Sequence, residues 1–215
     1  VVRDRDGEVY EQGSWKRTTD KLPRVVEEIK PHPHGIQLGT LQRMLRESEE
    51  RKMTSFLRHN FSGVSMRAAK EILSLAEINE NRSPKRISTN DANGMLNGFQ
   101  NVKLLPPPTD CLSPIDDLLI KKGLSKAIDS RFAATVTRNP TVSQGNPFQI
   151  EVGLVFGGDL TADGPIEVLR FANRVPLMYQ QGGCALTKAI ESIDWKRYGL
   201  DPPGGKGLPK GAAAV

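Results

Sequence analysis

The sequence runs to 215 residues, enough for one or two domains with at least one real core. Its 37% hydrophobic and 26% charged residues are ordinary for a globular protein, and no apolar run approaches the ~18 residues of a membrane helix. No charged-then-apolar segment marks the first residues as a signal peptide. Cys111 and Cys184 stand far apart, with no CxxC and no nearby histidine. That argues against a disulfide framework or a structural zinc and fits two buried free thiols in a reducing compartment. Net charge is +5, and most of the excess lies in residues 36–103, with eleven basic groups against seven acidic. A nucleic-acid contact is sought there first, although a solvated helical surface explains the excess equally.

Residues 1–30 are read as the C-terminal edge of a domain whose body lies upstream, with a turn at Asp6-Gly7 and a short strand Glu8-Val9-Tyr10. Pro31-His32-Pro33-His34-Gly35 is expected to be a surface turn: two prolines forbid helix, and the histidines lack a third metal ligand. From Thr40, taken as an N-cap, Leu41, Met44 and Leu45 follow helical spacing. Met53, Phe56 and Leu57 form a second short helix. After Gly63 and a Ser65 cap, Ala69, Ile72, Leu73 and Ala76 make one apolar face. Ser88 to Asp91 offers caps to a fourth helix with Met95, Leu96, Phe99 and Val102, in which Gly94 and Gly98 each cost about 1 kcal/mol relative to Ala.

Pro106-Pro107-Pro108 ends this helical stretch, and Ser113-Pro114 is read as the cap and first residue of a helix that Gly123 stops. The period then changes to two. Phe132 to Thr137 alternates, and Phe148, Ile150, Val152, Leu154 and Phe156 give the cleanest half-buried strand. A phase change between Val168 and Leu169 predicts a bulge or two-sided burial. Leu186, Ile190 and Ile193 define a helix after Gly182-Gly183, and Ala212 to Val215 reads as the start of a strand. Strands followed by a helix predict an α+β layer with a helix on one sheet face.

No catalytic site is expected. There is no G-x-x-x-x-G-K-[ST] and no G-x-S-x-G, and Pro203-Gly204-Gly205-Lys206-Gly207 lacks a strand before it and a helix after it. Asp116 and Asp117 favour a helix dipole rather than a metal. No metal site is expected either. Gly182-Gly183-Cys184 before a helix could cradle an anion, with Lys188 one turn in, or could be a tight strand-to-helix turn. Two groups carry the binding readings. Around the Gly63 turn, Arg58, Arg67 and Lys70 could join the free N–H groups of a helix start to hold phosphate, or could be solvated surface charges. In Trp195-Lys196-Arg197-Tyr198, two aromatics and two cations could stack and neutralise phosphate together, or the aromatics could plug the sheet edge with the charges solvated.

The order Phe61 to Ser65, helix, Ile78 to Ser88 turn, helix resembles the helix-two-turns-helix module of DNA glycosylases, a small-subunit ribosomal protein and the DNA topoisomerase VI B subunit. A wider resemblance to the last family runs from Ile29 onward. Ile29 to Gly35 and Thr109 to Pro114 look like the bounds of its helix-two-turns-helix domain. Gly145 to Gly153, Leu169 to Leu177, Tyr179 to Ala185 and Asp194 to Leu200 look like its transducer segments. The resemblance implies an α+β chain: the edge of an ATPase domain in 1–30, a small all-α helix-two-turns-helix domain in 31–105, and the N-terminal part of a two-layer, ribosomal-protein-like transducer domain in 106–215. It implies a part of an ATP-dependent type IIB DNA topoisomerase, with ATP and Mg2+ bound outside this chain and the nucleophilic tyrosine on another polypeptide. Expected partners are double-stranded DNA, the topoisomerase VI A subunit, and a second B subunit in an A2B2 heterotetramer, with no membrane, in the cytoplasm of an archaeal-type cell at its nucleoid. Trp195, Lys196 and Tyr198 match a transducer motif thought to touch DNA; Arg58, Arg67 and Lys70 are candidates for a second contact. The alternative is a stand-alone helix-two-turns-helix nucleic-acid-binding module without catalytic activity.

Overall fold

Hydrophobic spacing and local caps account for most of the elements in the computed structural model, which describes residues 2–3, 9–11, 17–200, 202–205 and 207–215. The Asp6-Gly7 turn lies outside them. The described helices are α1 (Leu38–Glu47), α2 (Met53–Asn60), α3 (Met66–Leu75), α4 (Thr89–Asn101), α5 (Asp117–Ala127) and α6 (Ala185–Glu191). The strands are β1 (Val2–Arg3), β2 (Val9–Glu11), β3 (Phe132–Thr137), β4 (Thr141–Ser143), β5 (Asn146–Phe148), β6 (Glu151–Phe156), β7 (Phe171–Ala172), β8 (Val175–Pro176) and β9 (Ala213–Ala214). The fold class is α+β. The chain divides into two units: residues 23–114 with 138–150, and residues 1–22 with 115–137 and 151–215.

In the first, helical unit, α1 to α4 bury one face each. Leu41, Met53, Phe56, Leu57, Ile72, Leu73, Met95 and Phe99 form the centre of a continuous core. Phe61 bridges Phe56 and Phe99, with ring centroids 5.7 and 5.4 Å away. Burying each such ring contributes roughly 1.5–3 kcal/mol. Gly98 fits because α4 crosses α3 closely: a Cβ there would lie 3.2 Å from Ile72 Cγ2. The glycine thus trades helix propensity for approach. Caps are local. Ser65 Oγ accepts from the Ala68 N–H at 3.2 Å, and Ser88 and Asp91 form a reciprocal capping box. Helix α1 begins earlier than the Thr40 cap predicted; its N-cap is Gln37, which makes no side-chain capping bond.

The Pro31–Gly35 turn differs from expectation as well, because His32 is buried. Its Nδ1 accepts from the His34 N–H at 3.3 Å, so Nε2 carries the proton and donates to Leu105 O at 3.0 Å. Two turns close against this ring. Gly63, at φ 73°, would place a Cβ 2.2 Å from Leu105 O and 3.1 Å from His32 Nε2. Gly145, in the β4–β5 hairpin, would place one 2.9 Å from His32 Nδ1. The imidazole is therefore a packing and hydrogen-bonding hub of the helical unit.

In the second unit the three-stranded sheet has the order β3-β6-β9, all antiparallel neighbours. Residues 166–169 run parallel beside β9, with Glu167 N donating to Ala213 O at 3.0 Å and Leu169 N to Val215 O at 2.8 Å. Helix α5 covers one sheet face so closely that a Cβ on Gly153 would lie 2.6 Å from Leu124 Cδ1. The helix is not the one that Ser113 and Pro114 predicted. Its N-cap is Asp116 at φ 87°, Gly123 lies inside it, and Ser113 Oγ instead donates to Arg24 O. The Glu151 carboxylate fixes its start, accepting from the Ile115 and Asp116 N–H groups and from Thr137 Oγ1, each at 2.8 Å. The strand expected from Phe148 to Phe156 is two strands, β5 and β6, because Phe148 belongs to the hairpin. On the sheet face away from α5, Phe132, Val136, Val152 and Phe156 are exposed. A small separate core gathers Ile166, Val168, Trp195 and Ala213, with Ile190 and Leu200 at its edge.

Candidate nucleic-acid interface

Two turns carry the residues singled out for binding, one in each unit. In the sheet unit, Trp195 to Tyr198 form a 3-10 turn that ends at Gly199, whose φ of 72° closes it in the left-handed region. Trp195 is only 6% exposed. Its indole N–H donates to Ile190 O at 2.9 Å, and its ring packs in the core with Ile166, Val168 and Ala213. Tyr198 is 71% exposed and stands edge-on to Trp195 with centroids 6.4 Å apart. Lys196 is exposed and makes no ion pair among the described residues, whereas Arg197 pairs with Asp194 at 2.9 Å. The turn therefore divides its four residues. The indole anchors, the arginine is engaged within the turn, and the lysine and the phenol face solvent. An ammonium and an aromatic face so placed can neutralise a phosphate and stack on a planar ring.

In the helical unit, Arg58 lies in the last turn of α2, and Arg67 and Lys70 lie three apart on one face of α3. All three are exposed. Lys70 pairs with Glu80 at 3.4 Å, an exposed pair of little energetic weight. Arg58 and Arg67 make no ion pair among the described residues. The Ser65 cap satisfies the Ala68 N–H and leaves earlier first-turn N–H groups of α3 for another acceptor. Behind them, His32 and Leu105 hold the Gly63 turn. First-turn amides and exposed guanidinium groups of this kind can each contribute to holding an anion.

Among the described residues no group of three or more His, Cys, Asp and Glu side chains could hold a metal ion, and no helix is long and apolar enough to cross a membrane. Asp116 and Asp117 share the start of α5 and hydrogen-bond each other, which lowers the Asp116 carboxyl from its ordinary range and raises that of Asp117. Gly204, Gly205 and Gly207 lie in open space, with no atom within 4 Å of an added Cβ.

One cluster escaped the sequence reading. Cys184, 2% exposed, receives a hydrogen bond from Tyr179 Oη at 3.1 Å. Arg170, buried to 8% exposure, donates from Nη2 to Leu177 O and Tyr179 O and lies 5.0 Å from the Tyr179 ring centre. The Tyr179 hydroxyl, then the Thr187 N–H, then Arg170 and the Leu186 N–H hold the Cys184 thiol at about 6, against an ordinary 9.0. The same bond to Cys184 raises the Tyr179 phenol. An arginine inside the apolar run Val168-Leu169-Arg170-Phe171-Ala172, nine residues before a tyrosine, was one signal available.

A helical unit and a sheet covered by one helix define an α+β protein with a transducer domain, for residues 107–209 match the family described as topoisomerase VI B subunit, transducer. The chain is 51% identical over 201 residues to the type 2 DNA topoisomerase 6 B subunit of Methanococcoides burtonii, a match covering 94% of this chain and 32% of that protein. It is 48% identical over all 215 residues to the protein of the same name from Methanosarcina barkeri, 34% of whose length is covered. To that of Archaeoglobus fulgidus it is 43% identical over 210 residues, which is 98% of this chain and 34% of the relative. The chain belongs to the topoisomerase VI B subunit family. It spans about a third of the length of these relatives.

Proposed function

We propose that this chain is part of the B subunit of an ATP-dependent type IIB DNA topoisomerase, and that it couples ATP-driven dimer gating to duplex cleavage and strand passage by the A subunit. In this reading residues 1–30 are the edge of an ATPase domain, 31–105 a helix-two-turns-helix domain and 106–215 the N-terminal part of the transducer. Double-stranded DNA, the A subunit, and a second B subunit in an A2B2 assembly are its partners, in the cytoplasm at the nucleoid. What supports the reading is the run of relatives, each named as the B subunit of type 2 DNA topoisomerase 6, along the whole chain. ATP and Mg2+ belong to the full-length protein, outside these residues. Among the described residues no group of three or more His, Cys, Asp and Glu side chains offers Mg2+ a site.

Direct DNA contact is assigned to the Trp195–Tyr198 turn, and the observation that carries it is the division between a buried indole and an outward lysine and tyrosine. Trp195 acts by positioning; Lys196 meets phosphate, and Tyr198 lies against sugar or base. Arg58, Arg67 and Lys70 form the second contact, Lys70 by exchanging Glu80 for phosphate. DNA affinity measured against salt tests both. On a duplex, each lost phosphate contact flattens the log–log slope by about 0.9. Lys196→Ala and the Arg67→Ala/Lys70→Ala pair are expected to flatten it by roughly one and two contacts. Unchanged slopes in both would remove DNA contact from this chain.

A further inference from the structure

A buried guanidinium needs an anion or a full set of acceptors, because leaving it unpaired in a low-dielectric site costs several kcal/mol. Arg170 has neither in full. Its Nη2 reaches two carbonyls, but Nη1 is buried without a hydrogen-bond partner, and no carboxylate pairs with it among the described residues. Carbonyl oxygens solvate a cation without neutralising it. The group beside it that can carry a negative charge is the sulfur of Cys184, which already accepts from Tyr179 Oη at 3.1 Å. Of the buried side-chain polar atoms without partners, a second, Thr187 Oγ1, also belongs to a residue next to this sulfur. The donors thus exceed the acceptors around Cys184, and an anion there restores the balance.

We propose that Cys184 stands as a thiolate, the counter-ion of the buried Arg170 guanidinium, and is a modification site for small oxidants and electrophiles in this chain. The ionisable groups acting on the sulfur are Arg170 and Tyr179, and both favour the anion: one by charge, the other by donating its hydroxyl proton into a hydrogen bond. A thiolate is the nucleophilic form of cysteine. With hydrogen peroxide as the oxidant, the sulfur attacks one peroxide oxygen, an S–O bond forms and the O–O bond breaks. The sulfur loses two electrons, and hydroxide departs and is protonated by solvent, leaving sulfenic acid. Access runs through the cover of the site, since Met178 is 91% exposed and Gln180 to Gly183 are exposed as well. The product still accepts the Tyr179 hydrogen bond but no longer neutralises Arg170. Oxidation therefore loosens the start of α6, the helix whose Ile190 carbonyl accepts the Trp195 indole proton.

The test starts from the 215-residue chain with Cys111→Ser, so that one thiol remains. Thiolate ultraviolet absorbance, followed from acid to alkaline pH, is expected to rise with a midpoint near 6, as the donors around the sulfur demand. Tyr179→Phe removes one donor without emptying the site and is expected to move the midpoint upward; Arg170→Gln is expected to move it further. If Arg170→Gln fails to fold, the Tyr179→Phe shift alone decides. With hydrogen peroxide added to the two-thiol chain at neutral pH, trapping of the sulfenic acid by dimedone is expected to mark Cys184 faster than Cys111 by roughly tenfold or more, although Cys111 is the less buried of the two. A chain that shows no thiolate below about pH 8, where a free thiol ionises, would overturn the ion pair. Dimedone labelling of Cys184 no faster than that of Cys111 after peroxide treatment would overturn the modification site.

Discussion

The two units of this protein are stabilised in different ways. Among the described residues, the helical unit buries fifteen hydrophobic side chains in one continuous core, capped by side chains at two of its helix starts. In the sheet unit the corresponding cluster has four, and Phe132, Val136, Phe156, Phe171 and Val175 remain exposed. Where the helical unit is held by dispersion and apolar burial, the sheet unit relies on specific polar ties: Glu151 at the start of α5, Arg170 to Leu177 and Tyr179, and the Trp195 indole to Ile190. The lesson is that the same kind of substitution has different consequences in each. Deleting methylenes weakens the first unit most, and deleting single hydrogen bonds weakens the second.

The largest expected effect breaks the core side of that comparison. Phe99→Ala removes a fully buried ring that touches Phe61, and it is expected to cost about 3–5 kcal/mol, read from urea unfolding followed by hydrogen exchange of α3 and α4 amides. Glu151→Gln is the counterpart in the sheet unit. It keeps an acceptor but removes the charge that serves two N–H groups and a hydroxyl, and about 1–3 kcal/mol of loss is expected, visible as faster exchange in α5 alone. Gly98→Ala sharpens the packing side. Helix propensity predicts a gain of about 1 kcal/mol, but a Cβ 3.2 Å from Ile72 predicts that the gain is cancelled or reversed in thermal melts.

A smaller effect comes from His32. Burial, and secondarily repulsion from His34, lower its basicity against the opposing Leu105 hydrogen bond. The unfolded chain therefore binds the proton more readily than the folded one. Stability is full above the ordinary value of 6.5 and falls as pH drops through the lower folded value. Unfolding midpoints of wild type and His32→Gln, compared at neutral pH and at pH 5, are expected to converge on acidification. A wild-type midpoint that rises toward pH 5 would contradict the buried neutral imidazole.

Local chemistry was legible in the residues and tertiary chemistry was not. The Ser65 and Ser88 caps, the spacing of α2 to α4 and the extent of β3 depend on neighbours in sequence, and each is found where its pattern placed it. The apolar phase of β3 and β6 (Phe132, Val136, Val152 and Phe156), however, faces away from α5 and is exposed rather than half-buried, because α5 packs on the opposite face. The helix after Pro114 was misplaced because its cap, Asp116, is selected by Glu151, which lies 35 residues away. His32 reads as a turn residue because nothing local announces that Leu105, Gly63 and Gly145 will converge on it. The Trp195 cluster was legible as a composition of aromatics and cations. Its division into a buried anchor and two exposed groups was not, since it depends on Ile166, Val168 and Ala213 from distant segments.

The central claim is that Lys196 and Tyr198 contact DNA from a turn that Trp195 anchors. The most direct measurement is duplex affinity across a salt series for wild type, Lys196→Ala and Trp195→Phe, with thermal melts run alongside. The account predicts that Lys196→Ala melts as wild type does but loses about 0.9 from the slope. Trp195→Phe keeps the slope and loses stability, because it gives up the hydrogen bond to Ile190 while leaving the lysine in place. A Lys196→Ala slope equal to that of wild type, at unchanged stability, would contradict it.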